Sequence, residues 1–139
     1  MKGQKTLFSS EKHDWETPPE LFERYNQIHK FTIDLAASHH NTKLPRFYTE
    51  QDNSLLQDWN GEVGWCNPPY NNIKQFVKKA QESKGTFVFL LPARTDTTWF
   101  HDYVLGKASI EFLSGRIKFV GSSNSAPFPS MVVIYEQRT

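Results

Sequence analysis

The sequence predicts an α/β fold: an open, mostly parallel sheet with helices on both faces and a C-terminal antiparallel strand pair. Three observations predict it. Apolar runs of strand length alternate with segments whose apolar residues recur at helical spacing. Thr86 to Leu91 has the continuous apolar character of a strand covered on both faces. Toward the C-terminus, the Ser-, Asn- and Pro-rich stretch Gly121 to Ser130 separates two further strand candidates.

The elements follow in order. Residues 1–13 are polar and are expected to form a loosely ordered tail, with one domain over residues 14–139. Thr17 is placed as the N-cap of a first helix, Pro18 as its first helical residue and Glu20 as the reciprocal capping partner. Leu21, Phe22, Tyr25 and Ile28 form its apolar stripe. Phe31 to Ala37 reads as a strand, and Arg46 to Thr49 as a short extended piece within an otherwise turn-rich stretch. Glu62 to Cys66 is a strand that runs into Asn67-Pro68-Pro69-Tyr70, where two prolines forbid both a continuing strand and a helix interior. Ile73, Phe76, Val77 and Ala80 mark a second helix; Trp99, Phe100, Tyr103 and Val104 mark a third, which stops at Gly106. Ile110 to Leu113, Ile117 to Val120 and Met131 to Tyr135 complete the strands.

Composition bounds the function. With 37% hydrophobic and 22% charged residues, the chain is an ordinary globular sequence, not a disordered or fibrous one. Aromatic residues are plentiful at 14%, enough that some are available for a flat ligand as well as the core. Cys66 is the single cysteine, which excludes an intramolecular disulfide and fits a reducing, cytoplasmic setting. No apolar run approaches the length of a bilayer span. A net charge of +1 means that any nucleic-acid binding rests on local arrangement of charge rather than on a basic surplus.

Ligands of open α/β sheets bind beyond the carboxyl ends of the strands, which draws attention to Asp34 to Ser38, Asn67 to Tyr70 and Pro92 to Asp96. The second of these has a definite chemistry. An exocyclic amine on a heteroaromatic ring is a poor nucleophile because its lone pair is delocalised. Two acceptors on its two N–H groups, the Asn67 side-chain oxygen and the Pro68 carbonyl, would favour a pyramidal nitrogen with a directed lone pair. The prolines remove competing backbone donors, and Tyr70 offers a stacking face worth roughly 1–3 kcal/mol per base. Such a site works by orientation and fixed dipoles, without a general base of shifted pKa. The catalytic candidates are therefore Asn67, Pro68 and Tyr70.

The loop resembles the catalytic motif of amino-group methyltransferases, in which Asp or Asn precedes Pro-Pro and an aromatic residue. Nearly the whole chain is similar to the phage-type DNA N-6-adenine methyltransferase family. The resemblance runs through Asp14-Trp15-Glu16-Thr17-Pro18-Pro19, Trp65-Cys66-Asn67-Pro68-Pro69-Tyr70, Leu90-Leu91-Pro92-Ala93-Arg94-Thr95-Asp96-Thr97 and Asn124-Ser125-Ala126-Pro127-Phe128-Pro129-Ser130. It implies a Rossmann-like methyltransferase fold, S-adenosylmethionine as donor, and adenine in DNA as acceptor, flipped out of the duplex into the pocket. It also implies a phage or prophage origin and protection from restriction. By position, Thr17 and Pro18 match the segment contacting the methionine end of the cofactor, and they also make sense as a helix N-terminus. Asp34 and Ala36 stand in the cofactor loop, which here lacks the glycines of the wider pattern; Asp34 is a candidate for the cofactor amine or simply an acidic strand end. Asp52, ahead of Glu50, is assigned to the adenosine, and Asn67 borders the cofactor too. Pro69, Tyr70, Arg94 and Phe128 are assigned to the DNA substrate, with Phe119 competing with Phe128 for the base. Asp96 is placed to orient Arg94 or to cap the following helix.

Other signals carry less. Five scattered histidines and one cysteine do not make a metal site. Lys74, Lys78 and Lys79 read as a solvated helix face before a DNA groove. Two rival functions stay open: methylation of the cytosine amino group, which the same acceptor pair serves, and a non-catalytic nucleic-acid or nucleotide-binding module on the same fold. A specificity partner or a homodimer is also open, since no separate recognition domain fits in the chain.

Overall fold

The computed structural model describes residues 15–137; the expected tail, residues 1–13, lies outside them. Helix α1 (Pro19–His29) starts from Pro18, whose carbonyl accepts from Leu21 and Phe22 N–H. Thr17 is therefore not the N-cap and Pro18 is not the first helical residue; no side chain caps this end, and Glu20 is exposed. The helix stops at Lys30, which takes a left-handed conformation. Its buried face is Leu21, Phe22 and Tyr25, whereas Ile28, expected in the stripe, is 68% exposed.

Strand β1 is only Ile33–Asp34, because Asp34 turns its carboxylate back onto the Ala36 N–H at 3.3 Å and ends the extended run. The expected extended piece after Arg46 does lie beside it: Asp34 N–H donates to Arg46 O and Tyr48 N–H donates to Asp34 O, both at 3.0 Å. A single 3-10 turn (Ser54–Leu56) leads to β2 (Val63–Cys66), followed by α2 (Ile73–Glu82) and β3 (Gly85–Pro92). Then come α3 (Thr98–Tyr103), β4 (Ser109–Phe112) and β5 (Ser130–Gln137).

The five strands form one mixed sheet in the order β1-β2-β3-β5-β4. The pairings β1/β2 and β2/β3 are parallel, whereas β3/β5 and β5/β4 are antiparallel. The sheet is thus not mostly parallel. Its longest pairing, Gly85↔Gln137 through Pro92↔Ser130, is antiparallel. The C-terminal antiparallel pair exists, but its partner strand is β4, not residues 117–120. That segment is irregular because its backbone bonds elsewhere: Val120 N–H donates to Glu16 O and Ile117 O accepts from Ala126 N–H.

Both faces of the sheet are covered, as the apolar run of β3 requires. Phe87, Phe89 and Leu91 pack with Phe76, Val77, Phe100, Met131 and Val133 under α2 and α3. Val88 and Leu90 alternate onto the other face with Leu21, Phe22, Tyr25 and Trp65 under α1. Because β1, β2 and β3 are parallel, their carboxyl ends share one edge, and Asp34, Asn67 and Ala93 follow one another along it.

Candidate functional site

Asn67 follows β2 directly and reaches back to the segment before α1. Its Nδ2 donates to the Thr17 hydroxyl at 3.0 Å and to the Trp15 carbonyl. With both amide hydrogens used, Oδ1 is left buried and without a partner. A buried acceptor without a donor is costly, so a donor from a ligand or a water is expected to meet it. Beside it, the Pro69 carbonyl accepts from Asn72 N–H at 2.9 Å, while the Pro68 carbonyl accepts no hydrogen bond among the described residues. Two consecutive residues at the head of the loop thus each carry an acceptor without a donor among the described residues.

Tyr70 lies in a four-ring cluster. Its ring is 5.6 Å from Phe128 and 6.4 Å from Trp15, near-parallel to the latter; Trp15 is 5.2 Å from Phe128 and 5.3 Å from Phe119. Phe119 and Phe128 are both buried and lie 6.1 Å apart in this cluster. The Tyr70 hydroxyl is also buried and unpaired, and burial pushes its pKa up, so it stays protonated as a donor.

A narrow cleft beside the loop brings together Thr17, Asp34, Ala36 and Asn67, four of the residues expected at the cofactor. It is also lined by Glu16, Asn41 and Lys43, which sequence reading missed. Lys43 lies in a stretch without periodicity, and Trp15 and Glu16 belong to the Asp14 to Pro19 segment, where the family resemblance points to Thr17 and Pro18 alone. Asp34 is 3% exposed, and its oxygens accept from Lys43 N–H at 3.1 Å and Ala36 N–H at 3.3 Å. Burial raises its pKa from 3.8 to about 6, against the lowering effect of those two amides and of the Lys43 charge.

The remaining expected residues stand apart from this cleft. Pro18 lines a separate groove with Arg24, Arg116 and Lys118. Asp52 is exposed, and its carboxylate closes the turn after Tyr48 by accepting from Thr49 N–H at 2.8 Å and Thr49 Oγ1 at 3.0 Å. Glu50 is exposed in the same turn. Arg94 is exposed beyond β3, and neither it nor Asp96 enters an ion pair among the described residues. Asp96 does not cap α3; Thr97 does, accepting from Phe100 N–H at 3.3 Å. Lys78 pairs with Glu82 and Lys79 lies over Trp59, which accounts for two of the three helix lysines without DNA. Cys66 is fully buried, with its thiol pKa pushed well up by desolvation and then by Asp34. No group of potential metal ligands is present among the described residues, and no helix there is long and apolar enough to cross a membrane.

An α/β sheet whose second strand opens into an Asn-Pro-Pro-Tyr loop with two free acceptors is consistent with the amino-group methyltransferase class. The comparison with known proteins narrows that class. The family model described as DNA N-6-adenine-methyltransferase (Dam) matches residues 4–138. A DNA N-6-adenine-methyltransferase of Haemophilus phage HP1 is 34% identical over 142 residues, covering 93% of this chain and 82% of the relative. A DNA N-6-adenine-methyltransferase of Escherichia phage T1 is 39% identical over 112 residues, covering 74% of this chain and 45% of that longer protein. The chain belongs to the DNA N-6-adenine-methyltransferase (Dam) family.

Proposed function

We propose that this protein transfers a methyl group from S-adenosylmethionine to the exocyclic amino group of adenine in DNA. The observation that carries the reading is the buried, unpartnered Asn67 Oδ1, held in that orientation by two bonds from its own amide. When bound, S-adenosylmethionine supplies a methyl group on a sulfonium sulfur. Asn67 Oδ1 and Pro68 O accept the two amino hydrogens of the base and localise its nitrogen lone pair. Because both acceptors are fixed before the base arrives, no reorganisation is needed at the moment of reaction.

Adenine reaches such a pocket by leaving the duplex, at a cost of a few kcal/mol. Tyr70 and Phe128 provide aromatic surface to repay it, with Pro69 stiffening the approach. Trp15 stands over Tyr70, so a base stacking directly on Tyr70 displaces it. The cleft of Thr17, Asp34, Ala36 and Asn67 suits the cofactor's polar end, since it is polar and adjoins the acceptor pair. Asp34 there holds the loop backbone. Arg94, exposed at the same sheet edge and without a carboxylate partner among the described residues, serves a DNA phosphate. A phage-encoded enzyme of this kind, acting in the bacterial cytoplasm, would protect its DNA from restriction.

The test is methyl transfer from labelled S-adenosylmethionine to unmethylated DNA, followed by nucleoside digestion and mass spectrometry. Label in N6-methyladenosine that falls about 100- to 1,000-fold in Asn67→Ala is the expected result, the usual loss when one preorganised polar group is removed. Label in methylcytosine overturns the choice of base. Absence of label on several DNAs overturns the activity and leaves a binding module.

A further inference from the structure

Lys43 and Glu16 both line the cleft that Asn67 borders, and they form an ion pair there. Their Nζ–Oε2 distance is 3.5 Å, and the Lys43 side chain is only 12% exposed. A half-buried cation and anion paired within one ligand cleft form a matched receptor for a ligand that carries one charge of each sign. The other ionisable group lining the cleft, Asp34, is committed: both of its oxygens already accept backbone N–H groups, one of them from Lys43 itself. Asp34 thereby fixes the backbone from which the Lys43 side chain reaches Glu16. The cleft holds a cavity of about 20 Å³, room for about one water, so an amino-acid group enters only when the two side chains part.

We propose that Lys43 and Glu16 bind the zwitterionic amino-acid end of the cofactor, the α-carboxylate on Lys43 Nζ and the α-ammonium on Glu16, in exchange for their own ion pair. The exchange leaves no charge unpaired in either state. In the free protein each side chain neutralises the other; in the complex each meets a ligand charge. This matters because a buried charge stripped of its partner is strongly penalised. The inference rests on the cofactor reading above and assigns Lys43 and Glu16, two residues to which the family resemblance gives no role.

The experiment is equilibrium binding by titration calorimetry on the full chain with three thioethers. S-adenosylhomocysteine carries both charges, its deaminated analogue carries only the carboxylate, and 5′-methylthioadenosine carries neither. Lys43→Met is expected to weaken S-adenosylhomocysteine at least tenfold and leave 5′-methylthioadenosine unchanged, with Lys43→Arg restoring most of the loss. Glu16→Gln is expected to abolish the preference for S-adenosylhomocysteine over the deaminated analogue. Unaltered binding of S-adenosylhomocysteine by Lys43→Met overturns the assignment while leaving the cofactor reading intact. An equal loss for S-adenosylhomocysteine and 5′-methylthioadenosine also overturns it, because that pattern reports a structural role. A wild-type chain that binds none of the three removes the cofactor reading and the inference with it.

Discussion

The side-chain amide of Asn67 donates to the hydroxyl of Thr17, fifty residues away in sequence, at 3.0 Å. That bond, with the one to the Trp15 carbonyl, aims Asn67 Oδ1 into a buried position where no donor among the described residues meets it. Thr17 is 2% exposed and acts on the site through Asn67.

Thr17→Val should therefore lower kcat about tenfold, equivalent to ~1.4 kcal/mol, through a less constrained amide. Thr17→Ser, which keeps the hydroxyl, should retain most of the activity. Steady-state kinetics of the three proteins check this. A Thr17→Val enzyme with normal kcat and only a raised KM for the cofactor would place Thr17 at the cofactor alone.

Asn67→Asp should be impaired even though an acidic residue has the same shape. A carboxylate has no hydrogen to give to the Trp15 carbonyl and would set two oxygens against each other. Protonation restores a donor, so the ratio of variant to wild-type activity should rise as pH falls. A flat ratio from pH 5 to pH 8 contradicts the donor role of the amide.

The Asp34 carboxyl gives a pH dependence of definite sign. Burial raises its folded pKa to about 6 from 3.8, so the folded state holds this proton more tightly than the unfolded chain does. Its contribution to stability is present below pH 3.8 and is lost as pH rises through about 6, an effect of ~3 kcal/mol at most. Urea unfolding from pH 3.5 to 7.5 should show wild type losing stability across that window relative to Asp34→Asn. Parallel curves for the two proteins would show that folding leaves the Asp34 pKa unshifted.

Two glycines should respond unequally to a methyl group. A Cβ on Gly64 would lie 2.7 Å from Leu35 Cδ1, whereas one on Gly85 would lie 2.5 Å from the backbone oxygen of Glu62, at a φ of +152°. Gly64→Ala should cost about 1–3 kcal/mol, as overpacked cores do, because the Leu35 side chain can shift. Gly85→Ala should cost more, since both the backbone neighbour and the φ resist it. Denaturation midpoints at constant m-value measure the difference.

Much of the architecture was legible because its signals are local. Val77 and Ala80 announce α2, Phe87 to Leu91 a buried strand, and Pro68-Pro69 a rigid loop at a strand end. The segment Ile117 to Val120 misled because its composition suits a strand. Its amide and carbonyl partners, Glu16 and Ala126, belong to loops that no periodicity points to. Thr17 misled for a similar reason: Thr-Pro-Pro-Glu has the form of a helix cap, but the hydroxyl is engaged by Asn67.

The sequence by itself determined the rigid loop at a strand end and the alternation of helices and strands, since proline geometry and apolar period act over a few residues. It did not determine strand direction: β3 pairs parallel with β2 and antiparallel with β5, and an apolar run reads the same either way. Nor could it show that Lys43 and Glu16 pair in the cleft, or that Trp15 stacks near Tyr70. Those relations join residues far apart in the chain, and only the packing of α1's leading segment against the strand ends brings them within reach.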